Sequence, residues 1–430
     1  MAPDQQVIAP EPWNSVEAAE EVTGKHAFEL VGRGLNRLGF VVLGAGGEVM
    51  DTKGRCIAPA LCERIDIASG LDTHRSPSRY LPRHDFPAYR FLKPLTAVEV
   101  IKLEKAAQLI EYLDIGNQRW GDGIESRWLF RGHCEDQWFL QPGAWRRDGR
   151  AKIFPLIQRF AADARWGELK DGKAIKEDSE VGRQISGQVQ RAAEYEAIRH
   201  FVDLADRLGL PVPGASDVPT GNAFLSTSSD GWPDEHTHVA ATVVCLAQHH
   251  GVPTALLDWT TNPLTAAFFA AEGADAEISA FEVASEGMGE DGYYGTYPGQ
   301  LAVWALDQDG IPRVGKNVTR EPVLKIVRCP RSEHNFLHAQ DGLFLMYPGA
   351  GAYFLRHGAW PVFEEVIEMN CEAGQQPLRK ITLPKSESRD LLGLLWRRGI
   401  YRARLMPTYD NVASSAGASF HERIGSLRKV

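Results

Sequence analysis

Apolar positions return along this chain with two different periods, and the switch between them outlines the elements. Between 96 and 114, Val98, Ile101, Ala106, Leu109, Ile110 and Leu113 recur at helical spacing and predict a helix. Ala193, Ala197, Ile198, Phe201, Leu204, Ala205 and Leu208 predict a second helix over 190–208, which Gly209 is placed to stop. A third covers 237–249, with Val239, Val243, Leu246 and Ala247 inward. The alternating "SRWLFRG" (126–132) reads as a strand. Strands then cluster: "QLAVWAL" (300–306), "PVLKIVRC" (322–329), "LFLMY" (343–347), "FEEVIEM" (363–369) and "LRKITLP" (378–384). A closing helix, 387–398, has Ser386 as its cap and Gly399 as its stop. Nearer the start, "FVVLG" (40–44) fits a short strand, and "LCERIDIA" (61–68) fits helix or strand. Residues 168–186 and 272–300, charged or glycine-rich, read as surface loops. Helices mixed with strands, followed by strands without long helices between them, predict an α+β class rather than a doubly wound sheet.

Composition changes this picture little. The 430 residues, 43% hydrophobic and 24% charged, suit two or three folded domains. The expected organisation is an acidic leader over 1–24, then a small N-terminal module with a Pro/Arg-rich linker over 25–95. A main domain follows over 96–415, with its core motifs at 120–272 and C-terminal strands at 300–415, then a basic tail over 416–430. The longest apolar runs, 239–247 and 264–271, fall far short of the ~18 residues of a membrane span. With no signal-peptide pattern, a cytoplasmic protein with no membrane partner is expected. Six scattered cysteines without a C-x-x-C pair argue against structural zinc and fit reduced thiols. The net charge of −9 disfavours a general nucleic-acid coat. The stretch from Gln376 to Val430, however, carries eleven Lys and Arg against four acids. That basic region, Arg397, Arg398, Arg402 and Arg404 included, is either a solvated, acid-paired face or a surface for RNA or a protein partner.

The chemistry concentrates in "AQHHGVPTALLDWTTNPLTAAFFAA" (247–271). Gly251-Val252-Pro253 ends a helix, because proline lacks the amide donor and restricts the residue before it. "TALLDWT" follows as a strand with Leu257 and Trp259 on one face and Leu256, Asp258 and Thr260 on the other. Asn262 and Pro263 then supply a cap and a first helical position for a helix apolar nearly all round. Thr260 and Thr261 stand at a helix N-terminus, a natural anion site. Asp258 sits at the rim of a core, where a carboxylate is costly unless paired. Arg131, projecting from an apolar strand, is its expected partner, and the pair either only fixes the fold or faces a pocket. Gly132 lets a ligand or a backbone approach. His249 and His250 diverge by about 100° on a helix and cannot share one ion, so no metal is expected. Gln340 precedes a strand as a cap or a ligand contact, and Gly342 implies a tight or closely approached backbone. "AFLSTSSDG" (223–231) is either a turn or the source of a serine for a histidine-assisted, metal-free hydrolase.

Four ordered blocks together resemble the FRG-domain family, named for an aromatic-Arg-Gly motif, here Phe130-Arg131-Gly132. They are "LFRGH", "LAQHHGVPTALLDWTTNPLTAAFFAA", "AQDGLFLMYPG" and "LLGLLWRRGIYRARLMPTYDNVA". The chain is also similar, more weakly, to the ADP-ribosyltransferase fold, whose enzymes bind NAD in a cleft of a split antiparallel sheet. Arg131-Gly132 matches its first strand, Leu257 to Ala270 its strand-to-helix motif, and Gln340-Asp341-Gly342 with Pro348-Gly349 its third. That resemblance implies a split antiparallel sheet with flanking helices and a nucleotide substrate, NAD. Arg131, Gly132, His133, Gln248, Thr260, Thr261 and Asn262 would bind it, and Arg131, His249, Asp258 and Gln340 would carry catalysis. ADP-ribosyl transfer or NAD hydrolysis in a toxin or defence role follows as the expectation. The sequence departs from the transferases at Gly342, where they place a glutamate. Asp341 is one residue off, and Asp258, Glu364 and Glu365 are candidate substitutes, the last two read as strand residues.

Overall fold

The computed structural model describes residues 40–43, 48–51, 56–57, 95–121, 127–163, 180–215, 237–286, 299–314, 321–330 and 335–417. The leader over 1–24, the linker over 74–94, "LCERIDIA", "AFLSTSSDG" and residues 418–430 of the basic tail lie outside the described residues.

In chain order the elements are β1 (Phe40–Leu43), β2 (Glu48–Asp51), β3 (Cys56–Ile57), β4 (Val98–Lys102), α1 (Ala106–Tyr112), β5 (Trp128–His133), α2 (Arg147–Asp163) and α3 (Glu180–Arg207). Next come α4 (Thr237–His249), β6 (Leu257–Thr260), α5 (Pro263–Glu286), β7 (Gln300–Asp307), β8 (Arg313–Val314), β9 (Glu321–Pro322), β10 (Lys325–Val327) and α6 (Asn335–Ala339). The last are β11 (Gly342–Met346), α7 (Ala350–His357), α8 (Phe363–Asn370), β12 (Leu378–Pro384), α9 (Ser388–Arg397) and α10 (Arg402–Leu405). They form two compact units, one of residues 1–95, 140–256 and 347–365, the other of 96–139, 257–346 and 366–430.

The first unit holds the three-stranded sheet β1-β2-β3 and a helical core. Ile153, Ile157 and Ala161 of α2 pack on Val189 and Ala193 of α3. Gly209 takes a left-handed φ of 69° and ends α3, the amide of Leu210 reaching back to the Ala205 carbonyl. A ring stack runs from Trp145 through Trp360 to Phe354.

The second unit is built on a seven-stranded sheet ordered β10-β11-β6-β5-β7-β12-β4. Its pairs are antiparallel except β12 with β4, which is parallel. The fold is therefore α+β with a mixed sheet and flanking helices, and the expected antiparallel sheet is corrected at that edge. One face is apolar because alternate residues point there: Phe130 on β5, Val303 and Ala305 on β7, Ile381 and Leu383 on β12. They pack on Ala266, Ala267 and Ala270 of α5 and on Leu391 and Leu395 of α9. The small residues of α5 bring helix and sheet so close that a Cβ on Gly132 would overlap the Ala266 carbonyl.

Five element expectations change. The stretch 96–114 divides into β4 and α1, because Val98, Val100 and Ile101 are β-branched and pair along β12. "FEEVIEM" is the helix α8: Phe363, Val366 and Ile367 lie at helical spacing and are all buried, and Glu364 and Glu365 occupy the first turn, where the helix dipole favours acids. Residues 180–186 and 272–286, expected in loops, are helical parts of α3 and α5. "PVLKIVRC" is broken into β9 and β10.

Cys134 and Cys371 are free thiols, but Cys245 and Cys329 are disulfide-bonded, so the expectation of reduced thiols fails for these two. Among the described residues, no helix is long and apolar enough to cross a membrane.

Candidate functional site

Three adjacent strands, β5, β6 and β11, carry the polar residues of the second unit that the sequence singles out. Arg131 leaves β5 on the face opposite Phe130 and Gly132, and its side chain is 9% exposed. Its Nη1 donates to Asp258 Oδ2 at 2.5 Å and to the Asp258 carbonyl at 2.6 Å. Its Nε donates to His133 Nε2 at 2.9 Å. That bond fixes the acceptor nitrogen of His133 and puts the proton of the neutral imidazole on Nδ1. The Arg131 Nη2 makes no hydrogen bond among the described residues. Asp258 is 61% exposed, so the ion pair joins a buried cation to a carboxylate open to solvent.

Thr260 closes the turn after β6. Its hydroxyl donates to the Gln340 carbonyl at 2.6 Å and accepts from the Asn262 amide at 2.9 Å. Asn262 Oδ1 accepts from the Leu264 amide, and its carbonyl accepts from Thr265 and Ala266. With Pro263 lacking a donor, the first amides of α5 are thus satisfied internally, and Thr261 donates its own amide to the Asp341 carbonyl. The helix N-terminus expected as an anion site is already capped. Gln340 uses its Nε2 on the Leu405 carbonyl at 3.2 Å, which makes it a brace between the head of β11 and α10. Next to it Asp341 holds a left-handed φ of 51°, rare for a residue with a Cβ. Gly342 pairs with Thr260, and its bare Cα accommodates the Leu337 side chain.

Arg131, Gly132, His133, Asp258, Thr260, Thr261, Asn262 and Gln340 therefore share the second unit, whereas Gln248 and His249 belong to the first. There Gln248 Oε1 accepts the Thr254 hydroxyl, and Thr254 in turn takes the Leu256 amide and holds Ala144 by its carbonyl. His249 lies edge-on to His250, whose ring stacks on Phe201. Glu364 and Glu365 are buried at the start of α8, Glu364 accepting the Leu140 amide at 2.8 Å. Neither is the strand carboxylate the sequence suggested.

Sequence reasoning missed two features. Lys385, wholly buried, is salt-bridged to Glu135 and to Glu277, the latter at 2.6 Å. Cys134 donates to Glu277, and burial together with that carboxylate pushes its thiol up to about 12, which keeps it un-ionised. Trp138 is the other, an indole set edge-on to His133. Proximity to "FRGH" was the only signal for Cys134, Glu135 and Trp138, and no local pattern pointed to Lys385 or Glu277. Among the described residues, no group of His, Cys, Asp and Glu could hold a metal ion.

Against known proteins, a family model described as the FRG domain matches residues 220–278, a span that contains α4, β6 and the start of α5. The match supports the resemblance read from the sequence. No curated protein and no solved structure matches the chain.

Proposed function

We propose that the second unit binds an NAD-class nucleotide through Arg131 and acts on its nicotinamide–ribose bond, passing ADP-ribose to an acceptor or to water. One observation carries this reading: a buried guanidinium whose Nη2 is unengaged among the described residues and whose counter-ion, Asp258, stands in solvent. A pair of this kind can exchange. A diphosphate replaces the carboxylate on Nη1, gains Nη2 as a second donor in the planar fork, and leaves Asp258 to water at little cost. His133 keeps the guanidinium plane fixed through Nε. The three-strand platform fits a positioning role, since strands hold such groups more rigidly than loops.

Incubation of the full chain with NAD, followed by mass spectrometry, tests the reading. Nicotinamide release that Arg131→Gln abolishes is the expected result. Absence of release and of NAD binding by the wild type rejects it.

A second reading rests on a separate observation. Arg397, Arg398 and Arg404 are exposed, while neighbouring Arg389 and Arg402 are neutralised by Asp275 and Glu272 on α5. This open cationic edge suits RNA or an acidic protein partner. Salt-sensitive RNA binding lost in an Arg397→Ala, Arg398→Ala variant, without nicotinamide release, favours it.

A further inference from the structure

We infer that Trp138 is the stacking platform for the adenine base of the nucleotide held by Arg131, an inference that rests on the nucleotide-binding reading above. Trp138 is 42% exposed, a large apolar surface to leave in water. It does not sit on a loose segment. Its own amide donates to the Glu135 carbonyl at 3.2 Å, and the Asp136 amide donates to the Gln300 carbonyl of β7 at 2.7 Å, so the turn that carries it is tied to the sheet. The indole is held edge-on to His133, with ring centres 6.0 Å apart and planes at 65°. That contact uses the edge-to-face geometry aromatic pairs prefer. His133 is also the group that accepts Arg131 Nε. A single imidazole therefore orients both the guanidinium that would take a phosphate and the exposed ring beside it. A partly exposed indole that shares the imidazole of His133 with an anion anchor is the combination that recognises a nucleotide, since a base stacks on the ring while its phosphate meets the cation.

Calorimetric titration of the full chain with AMP, nicotinamide mononucleotide and pyrophosphate tests this, using the wild type, Trp138→Ala and Trp138→Phe. Trp138→Ala should weaken AMP on the order of tenfold or more and leave nicotinamide mononucleotide and pyrophosphate unchanged. Trp138→Phe, which keeps a ring, should retain most of the AMP affinity. Unchanged AMP affinity in Trp138→Ala overturns the inference and leaves the anion anchor standing. So does an equal loss for all three probes, because the indole would then act only by supporting His133 and Arg131. A response confined to nicotinamide mononucleotide also overturns it. If no probe binds the wild type, the nucleotide reading falls and this inference with it.

Discussion

Arg131 and Asp258 divide one ion pair unequally, the cation in the core and the anion in water. Because the carboxylate is exposed and solvent-screened, the pair contributes far less than a fully buried one. Asp258→Asn should therefore lower stability by only about 1 kcal/mol, the more so because Arg131 keeps its bond to the Asp258 carbonyl. The same substitution should tighten nucleotide binding by removing the competing anion. Arg131→Gln strips donors from His133 and from that carbonyl together, and should cost about 2 kcal/mol in urea denaturation. At this scale much was legible in the sequence. An aspartate between Leu257 and Trp259 demanded a partner, and an arginine after Leu129 and Phe130 was the one available. The capping by Asn262 was legible too, but the saturation of Thr260 by the Gln340 carbonyl and of Gln340 by the Leu405 carbonyl was not, because hydrogen bonds between distant loops leave no period in the chain.

Helix α5 and strand β5 meet through the absence of a side chain at Gly132. Gly132→Ala forces a methyl into the Ala266 carbonyl, where neither backbone can yield without moving the helix. We expect a loss of about 3 kcal/mol or more, seen as a lowered urea midpoint. Thr260→Val keeps the shape of β6 but leaves the Gln340 carbonyl without its donor, and should cost about 1 kcal/mol. Strands β5, β7, β11 and β12 were readable because they are short, largely apolar runs buried at most positions, and α9 because Leu391 and Leu395 bury one helical face. The first half of 96–114 misled because Val98 and Ile101 satisfy helical spacing and strand propensity equally, and only pairing with β12 decides between them. "FEEVIEM" misled in the opposite direction: its apolar density suggested a strand, while Phe363, Val366 and Ile367 mark one helical face.

Across the molecule, the stretch 247–271 is divided, with residues up to Leu256 in the first unit and Leu257 onward in the second. No local pattern marks that division, so Gln248 and His249 read as neighbours of Asp258 by sequence alone. The first unit has a pH signature of its own. Burial pushes the Glu194 carboxyl from 4.5 up to about 7, while Gln190, Arg150, Arg191 and Trp145 around it pull the other way. Between those values the native chain holds a proton the unfolded chain has released. The stability this group contributes is therefore full below about pH 4.5 and is lost as pH rises toward 7. Burial lowers Arg150 to about 9, so it adds no slope in that window. Glu194→Gln should flatten the fall in urea midpoint that the wild type shows between about pH 5 and 7. An unaltered slope assigns it to other groups.

The central claim is that Arg131 is an anion anchor with an exchangeable counter-ion. Calorimetric titration of NAD into the full chain, with its folded state checked by circular dichroism, addresses it most directly. Saturable binding to the wild type, tighter binding to Asp258→Asn and none to folded Arg131→Gln are the expected results. Identical heats for all three proteins would contradict it.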